Sequence, residues 1–185
     1  MPPLFEATRE VEMIARALPP GTQLLPSTGT TSSVRNVLEL LPHVSILHLA
    51  CHGLEDTTNP HLSGFHLSDG RLTLAEIIQQ DTPHALFAFL SACESARGHS
   101  VHHPEQSIHL AAALLFAGFK SVVGTLWDMS DVDGPVVAGA VYRELFKGDV
   151  LDPRIIPYAL DEAVQELRRQ GAPAHRWATF VHIGA

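Results

Sequence analysis

The chain has 185 residues, 45% hydrophobic and 17% charged, the balance of one globular domain with a proper core, which excludes a disordered or low-complexity chain. With 12 basic against 20 acidic residues the formal net charge is -8, which argues against nucleic acid or an anionic membrane as the main partner. Two cysteines, Cys51 and Cys93, are too few for a disulfide framework. The start (Met1 to Glu6) has neither a basic segment nor a long apolar one, and no apolar run approaches a membrane span, so the expectation is a soluble cytoplasmic protein.

Val11, Ile14, Ala15 and Leu18 recur at helical spacing and predict a helix from about Glu6 to Ala17, ended by Pro19-Pro20-Gly21. A short strand is expected at Gln23-Leu24-Leu25. The polar run from Ser27 to Ser33 then supplies an N-cap for a helix over Val34 to Leu41, with Val34, Val37, Leu38 and Leu41 on one face. Val44 to Ala50 and Ala85 to Ala92 are too short for typical helices and apolar on both faces, the pattern of parallel strands covered on both sides. Between them Thr73-Leu74-Ala75-Glu76 reads as a capping box opening a helix to Gln80. The alternation continues with a helix over Ser107 to Ala117, stopped by Gly118, and a strand over Lys120 to Trp127. Ser130-Asp131 opens a helix that turns Val132, Val136, Val137, Ala140, Val141 and Leu145 inward and ends at Gly148. Another runs from about Pro157 to Gln170, and Trp177 to Ile183 closes the chain as a strand. The expected fold class is therefore α/β, a three-layer sandwich with a mostly parallel sheet between helices, and no linker divides residues 1–185 into domains.

In open α/β sheets ligands gather beyond the carboxyl ends of the strands. Val44 to Ala50 leads into Cys51-His52-Gly53, and Ala85 to Leu90 leads into Ser91-Ala92-Cys93-Glu94-Ser95, so His52 and Cys93 fall at two such ends. Neighbouring strands lie about 5 Å apart, which brings residues at equivalent ends within or near bonding reach. An imidazole beside a thiol can lower the thiol pKa or carry its proton to a leaving group, the chemistry of a cysteine hydrolase. Gly53 lets backbone approach a substrate closely, and its amide with that of Cys93 forms a candidate oxyanion hole.

Four blocks resemble the CHAT domain: H-L-A-C-H-G (His48 to Gly53), L-S-A-C-E-S (Leu90 to Ser95), the run from Glu105 to Trp127, and W-A-T-F-V-H-I-G (Trp177 to Gly184). The resemblance covers most of the chain. It implies a caspase-like peptidase domain of the kind often fused to tetratricopeptide repeats, with His52 at the family's catalytic histidine and Cys93 at its cysteine. It implies no cofactor, a protein substrate, and a tetratricopeptide-repeat or other regulatory protein as partner. CHAT domains usually carry a further sheet-forming segment before the position of Leu4, so the expectation here is either a domain lacking its N-terminal segment or a sheet edge covered by a partner. Caspases themselves have Q-A-C-x-G with a histidine roughly 50 residues upstream. Serine stands here at positions 91 and 95, so aspartate specificity does not transfer.

On the substrate side, Ser91 and Ser95 flank the cysteine as wall or turn residues, and Ser91 is carried as a substrate contact. Glu94 is open to two roles, structural acceptor or substrate contact. Asp128 and Asp131, in the loop after the strand ending at Trp127, are candidates for a pocket favouring a basic side chain. The competing account has Ser130 cap the next helix while Asp131 and Asp133 complement its positive end. His48 with His52, and the group His99, His102 and His103, invite a metal reading, but no carboxylate or thiolate stands at a recognisable zinc spacing and none is expected. His48 is taken as a support beneath the site and Cys51 as a small buried hydrophobe. The sequence thus reads as a cysteine endopeptidase, a regulated signalling or defence protease. A catalytically latent interaction module and a hydrolase of a non-peptide acyl bond are the alternatives.

Overall fold

A computed structural model describes residues 5–54, 56, 58–91, 104–148 and 150–184. Its centre is a four-stranded sheet, in the order β1 (Ile46–Leu49), β5 (Phe87–Leu90), β6 (Ser121–Thr125), β7 (Phe180–Gly184). The first three strands are parallel, and β7 returns antiparallel to β6. Helices α1 (Phe5–Ala17), α5 (Asp133–Leu145) and α6 (Ile156–Arg169) cover one face, and α2 (Val34–Leu40), α3 (Leu74–Ile78) and α4 (Pro104–Ala117) the other; a short α7 (Ala174–Trp177) precedes β7. This is the expected three-layer α/β sandwich. Among the described residues, no helix is long and apolar enough to cross a membrane.

The two cores follow from the period of the strands. Along β5, Phe87 and Phe89 join Val137, Val141, Tyr142, Ala159, Ala163 and Leu167, while Ala88 and Leu90 join Val37, Ala111 and Leu114 on the opposite face. The same split divides Val123 from Val122 in β6. Every residue of β5 and β6 is buried; β5 therefore has no polar face to display and reads as a continuous apolar run, while β6 encloses Ser121 and Thr125 at its ends.

Local signals set the helix ends. Ser33 accepts the amide of Asn36 as N-cap of α2. Thr73 and Glu76 close both halves of the expected capping box on α3, with Thr73 N donating to Glu76 Oε2 at 2.8 Å and Glu76 N to Thr73 Oγ1 at 3.2 Å. Gly118 ends α4 with φ +118°, a conformation that a side chain strains.

Several expectations are corrected. Gln23 to Leu25 is not a strand; its leucines are exposed and it runs as irregular chain. Trp177 belongs to α7, and the last strand begins only at Phe180. The helix expected at Ser130-Asp131 starts at Asp133, without a side-chain cap; Ser130 instead accepts the Asp133 amide through its carbonyl, at 2.8 Å. Arg176 on α7 reaches the buried Asp133 carboxylate with both prongs of its guanidinium, Nε donating to Oδ2 at 2.8 Å.

The largest addition is a second sheet, β2 (His52–Leu54), β3 (Gly64–His66) and β4 (Arg71–Thr73), antiparallel throughout. Phe65, Leu67 and Leu72 send it into the second core. Ser68-Asp69-Gly70 turns between β3 and β4, and Leu67 N donates to Gly70 O at 2.8 Å. The same turn clamps α2: Asp69 Oδ1 accepts the amide of Val34, and Ser68 N donates to Ser32 O.

Gly64 faces β4 so closely that a Cβ would collide with the Leu72 carbonyl, a backbone atom that cannot swing aside. Gly64→Ala is expected to cost about 1–3 kcal/mol of stability, read as a lower midpoint in urea. Because β3 holds β2 in register, amide exchange at His52 to Leu54 should rise in the same variant.

Candidate functional site

The register of the central sheet sets the site. Leu49 of β1 lies opposite Leu90 of β5, and Ser91 N donates to Leu49 O at 2.9 Å, so the pairing continues one residue past the strand. From this shared edge one chain runs through Ala50 and Cys51 to His52, the other through Ser91 to Ala92 and Cys93. The two leave adjacent parallel strands at their carboxyl ends, the side where α/β sheets gather ligands.

His52 is 7% exposed. It stands at the first position of β2 rather than on a free loop, opposite His66 across the ladder. Gly53 is buried, and a Cβ built there would meet Leu110 at 3.8 Å, an ordinary contact. Cys93 and Glu94 lie outside the described residues, as do His99, His102 and His103. Among the described residues, no three histidine, cysteine, aspartate or glutamate side chains are grouped to hold a metal ion.

Ser91 is 4% exposed, and its hydroxyl donates to Glu10 Oε2 at 3.0 Å with Met129 Sδ at 3.8 Å. Glu10, on α1 and 2% exposed, escaped the sequence reading because it sits inside a helix whose apolar face drew the attention. The signal was present: Glu10 precedes the buried Ile14 by four residues and so shares its stripe. Its other oxygen, Oε1, faces His48 Nε2 at 3.2 Å, but off the hydrogen-bond line, so neither atom gains an aligned partner among the described residues. His48 in turn stacks on Phe89, ring centroids 5.0 Å apart, and places Nδ1 3.2 Å from the Tyr142 hydroxyl. Burial first, and the Glu10 charge second, push the Tyr142 phenol up from its ordinary pKa, so that hydroxyl stays protonated. His48 thus stands under the strand ends, as a support.

Glu6, Ala7, Glu10, Ala50, Ser91, Met129 and Asp131 line a shallow cleft at this edge of the sheet. Of the two loop aspartates, Asp131 borders the cleft and Asp128 does not; both are exposed. A serine–histidine pair, Ser121 Oγ and His182 Nε2 at 2.6 Å, sits at the opposite end of β6. Ser121 has no exposed surface there and cannot meet a substrate.

Cys51 packs against the second core with Leu47, Leu38 and Leu110. It keeps some exposed surface, but the crowding around the sulfur decides its ionisation, and desolvation pushes the thiol up to about 12. Roughly one molecule in 10⁴ then carries a thiolate at pH 8. Iodoacetamide at that pH should leave Cys51 unmodified in the folded protein and alkylate it readily in 6 M guanidinium, as read by peptide mass spectrometry. Fast alkylation of folded Cys51 would contradict this environment.

A family model described as CHAT domain matches residues 1–185, the whole chain. No curated protein matches it.

Proposed function

Since the chain belongs to the CHAT domain family, whose fold is related to the caspase-like cysteine peptidases, we propose that it is a cysteine endopeptidase in which Cys93 is the nucleophile and His52 the general acid/base. The observation that carries the reading is the parallel pairing of β1 with β5, which starts the His52 and Cys93 segments from one edge, Leu49 beside Leu90. The burial of His52 supports it as well, because a partly dehydrated imidazole interacts more strongly with a neighbouring thiol than one in water.

In this mechanism the Cys93 thiol gives its proton to His52, and the sulfur attacks the scissile carbonyl carbon. The amides of Gly53 and Cys93 hold the negative charge that develops on oxygen. His52 then protonates the departing amine as the C–N bond breaks, which leaves a thioester on Cys93. Water, deprotonated by His52, attacks the thioester; the acid product leaves, and the thiol and imidazole return to their starting states. No metal or organic group takes part in any step.

On the substrate side, the acids at the cleft favour a basic residue before the scissile bond. Asp131 and Glu6 stand at its rim, and charge-assisted hydrogen bonds to carboxylates are the strong kind. Ser91 contributes wall, Glu94 follows the nucleophile, and Asp128 lies further out on the same loop. Cleavage of a chosen protein at one such residue suits a regulated signalling or defence protease.

A positional peptide library tests the whole reading. The wild-type protein should cleave after basic residues, and Cys93→Ala and His52→Ala should each lose cleavage by at least about 10³-fold while keeping the wild-type far-UV spectrum. Asp131→Asn should weaken the preference for a basic residue chiefly through KM. Unchanged cleavage after Cys93→Ala would sink the proposal, and a folded wild-type protein that cleaves nothing would favour the latent interaction module.

A further inference from the structure

Glu10 takes no part in the dyad, yet its carboxylate is buried where α1, β1, β5 and α5 come together. Ser91 reaches it from the end of β5, His48 from β1, and Tyr142 lies behind His48 on α5. The start of α5 closes over the same point. A Cβ built on Gly134 would come 3.0 Å from Ser91 Oγ, 3.2 Å from Glu10 Oε2 and 2.9 Å from Met129 Cε, so a side chain at 134 would press on all three and shift them. A carboxylate at that place also meets the positive end of α5.

A buried carboxylate is costly unless it is hydrogen-bonded, so the bond from Ser91 is one that Glu10 cannot give up cheaply. Here the bond constrains Ser91, the last described residue before the segment that carries Cys93. The backbone of Ser91 is held by Leu49 O and its side chain by Glu10 Oε2, on two different elements. Two restraints of this kind set both the position and the rotation of the chain as it leaves the sheet.

We propose that Glu10 is a positioning residue for the nucleophile: through Ser91 it sets the direction in which the chain departs from β5 toward Cys93. The role rests on Cys93 as the reactive thiol and adds to it a residue from the far end of the sequence. Glu10 acts as an acceptor; its reach to Ser91 matters more than its contact with substrate. Because a shift of about 1 Å at a reacting group can cost 100-fold in rate, the bond influences reactivity beyond its share of stability.

The test compares Glu10→Ala, Glu10→Gln, Ser91→Ala and the Glu10→Ala/Ser91→Ala double variant. Two readouts are taken on the whole chain: kcat and KM on the best library peptide, and the rate at which iodoacetamide alkylates Cys93, with Cys51 in the same sample as monitor of general opening. Glu10→Ala and Ser91→Ala should each lower kcat and the Cys93 alkylation rate by roughly ten-fold or more with little change in KM. The double variant should be no worse than the poorer single one, because both remove the same bond. Glu10→Gln, which keeps an acceptor oxygen, should restore most of the rate.

Additive losses, a Glu10→Gln variant as slow as Glu10→Ala, or Cys93 alkylation unchanged while Tm falls would each overturn the proposal. So would Cys51 becoming reactive in step with the loss at Cys93, since that marks general loosening. If the wild-type protein cleaves no peptide, the peptidase reading fails, and the alkylation rates still decide the role of Glu10.

Discussion

The rest of the structure depends on the parallel ladder between β1 and β5. Its register, with Ile46 opposite Phe87 and Leu49 opposite Leu90, brings two chain exits to one edge. Slipping β5 by one residue would exchange its two faces, carrying Phe87 and Phe89 from the core under α5 and α6 into the one under α2 and α4, and Ala88 and Leu90 the other way. The cores therefore enforce the register, and the register sets where His52 and the Cys93 segment begin. In the proposed peptidase, activity is tied to packing through a geometric condition that neither cysteine nor histidine imposes on its own.

Two acids are buried beside the start of α5, in contrasting ways. Asp133 meets the planar fork of Arg176 and so joins α5 to α7 with a matched pair. Glu10 has a hydroxyl on one oxygen and an imidazole off-line on the other. The first arrangement satisfies its charge and locks a corner of the fold. The second leaves one carboxylate oxygen without an aligned partner among the described residues, next to the strand ends.

Much of this was legible in the sequence. The apolar runs at Val44 to Ala50 and Ala85 to Leu90, the capping box at Thr73 and the stop at Gly118 rest on local rules, and each lies within a few residues of the element observed. The small sheet went unread, although Asp69-Gly70 between alternating Phe65, Leu67, Leu72 and Leu74 is a hairpin signal, because the strands have only three residues each. The strand proposed at Gln23 to Leu25 failed for lack of a partner: two leucines side by side cannot form a ladder alone. Glu10 was hidden for a different reason. A charge on a helix is ordinarily solvated, and only the tertiary approach of Ser91, His48 and Gly134 shows that this one is enclosed.

Both tryptophans lie at one corner of the molecule. The Trp127 indole N–H donates to the His175 carbonyl at 2.7 Å, and Trp177 is covered by the Arg168 guanidinium, 4.9 Å from its ring centre. Intrinsic emission excited at the red edge is therefore a local gauge, sensitive to the seating of α7 and blind to the small sheet and α2. An unfolding curve followed by this light and one followed by backbone dichroism report on different parts of the chain, and their coincidence or separation measures whether that corner melts together with the rest.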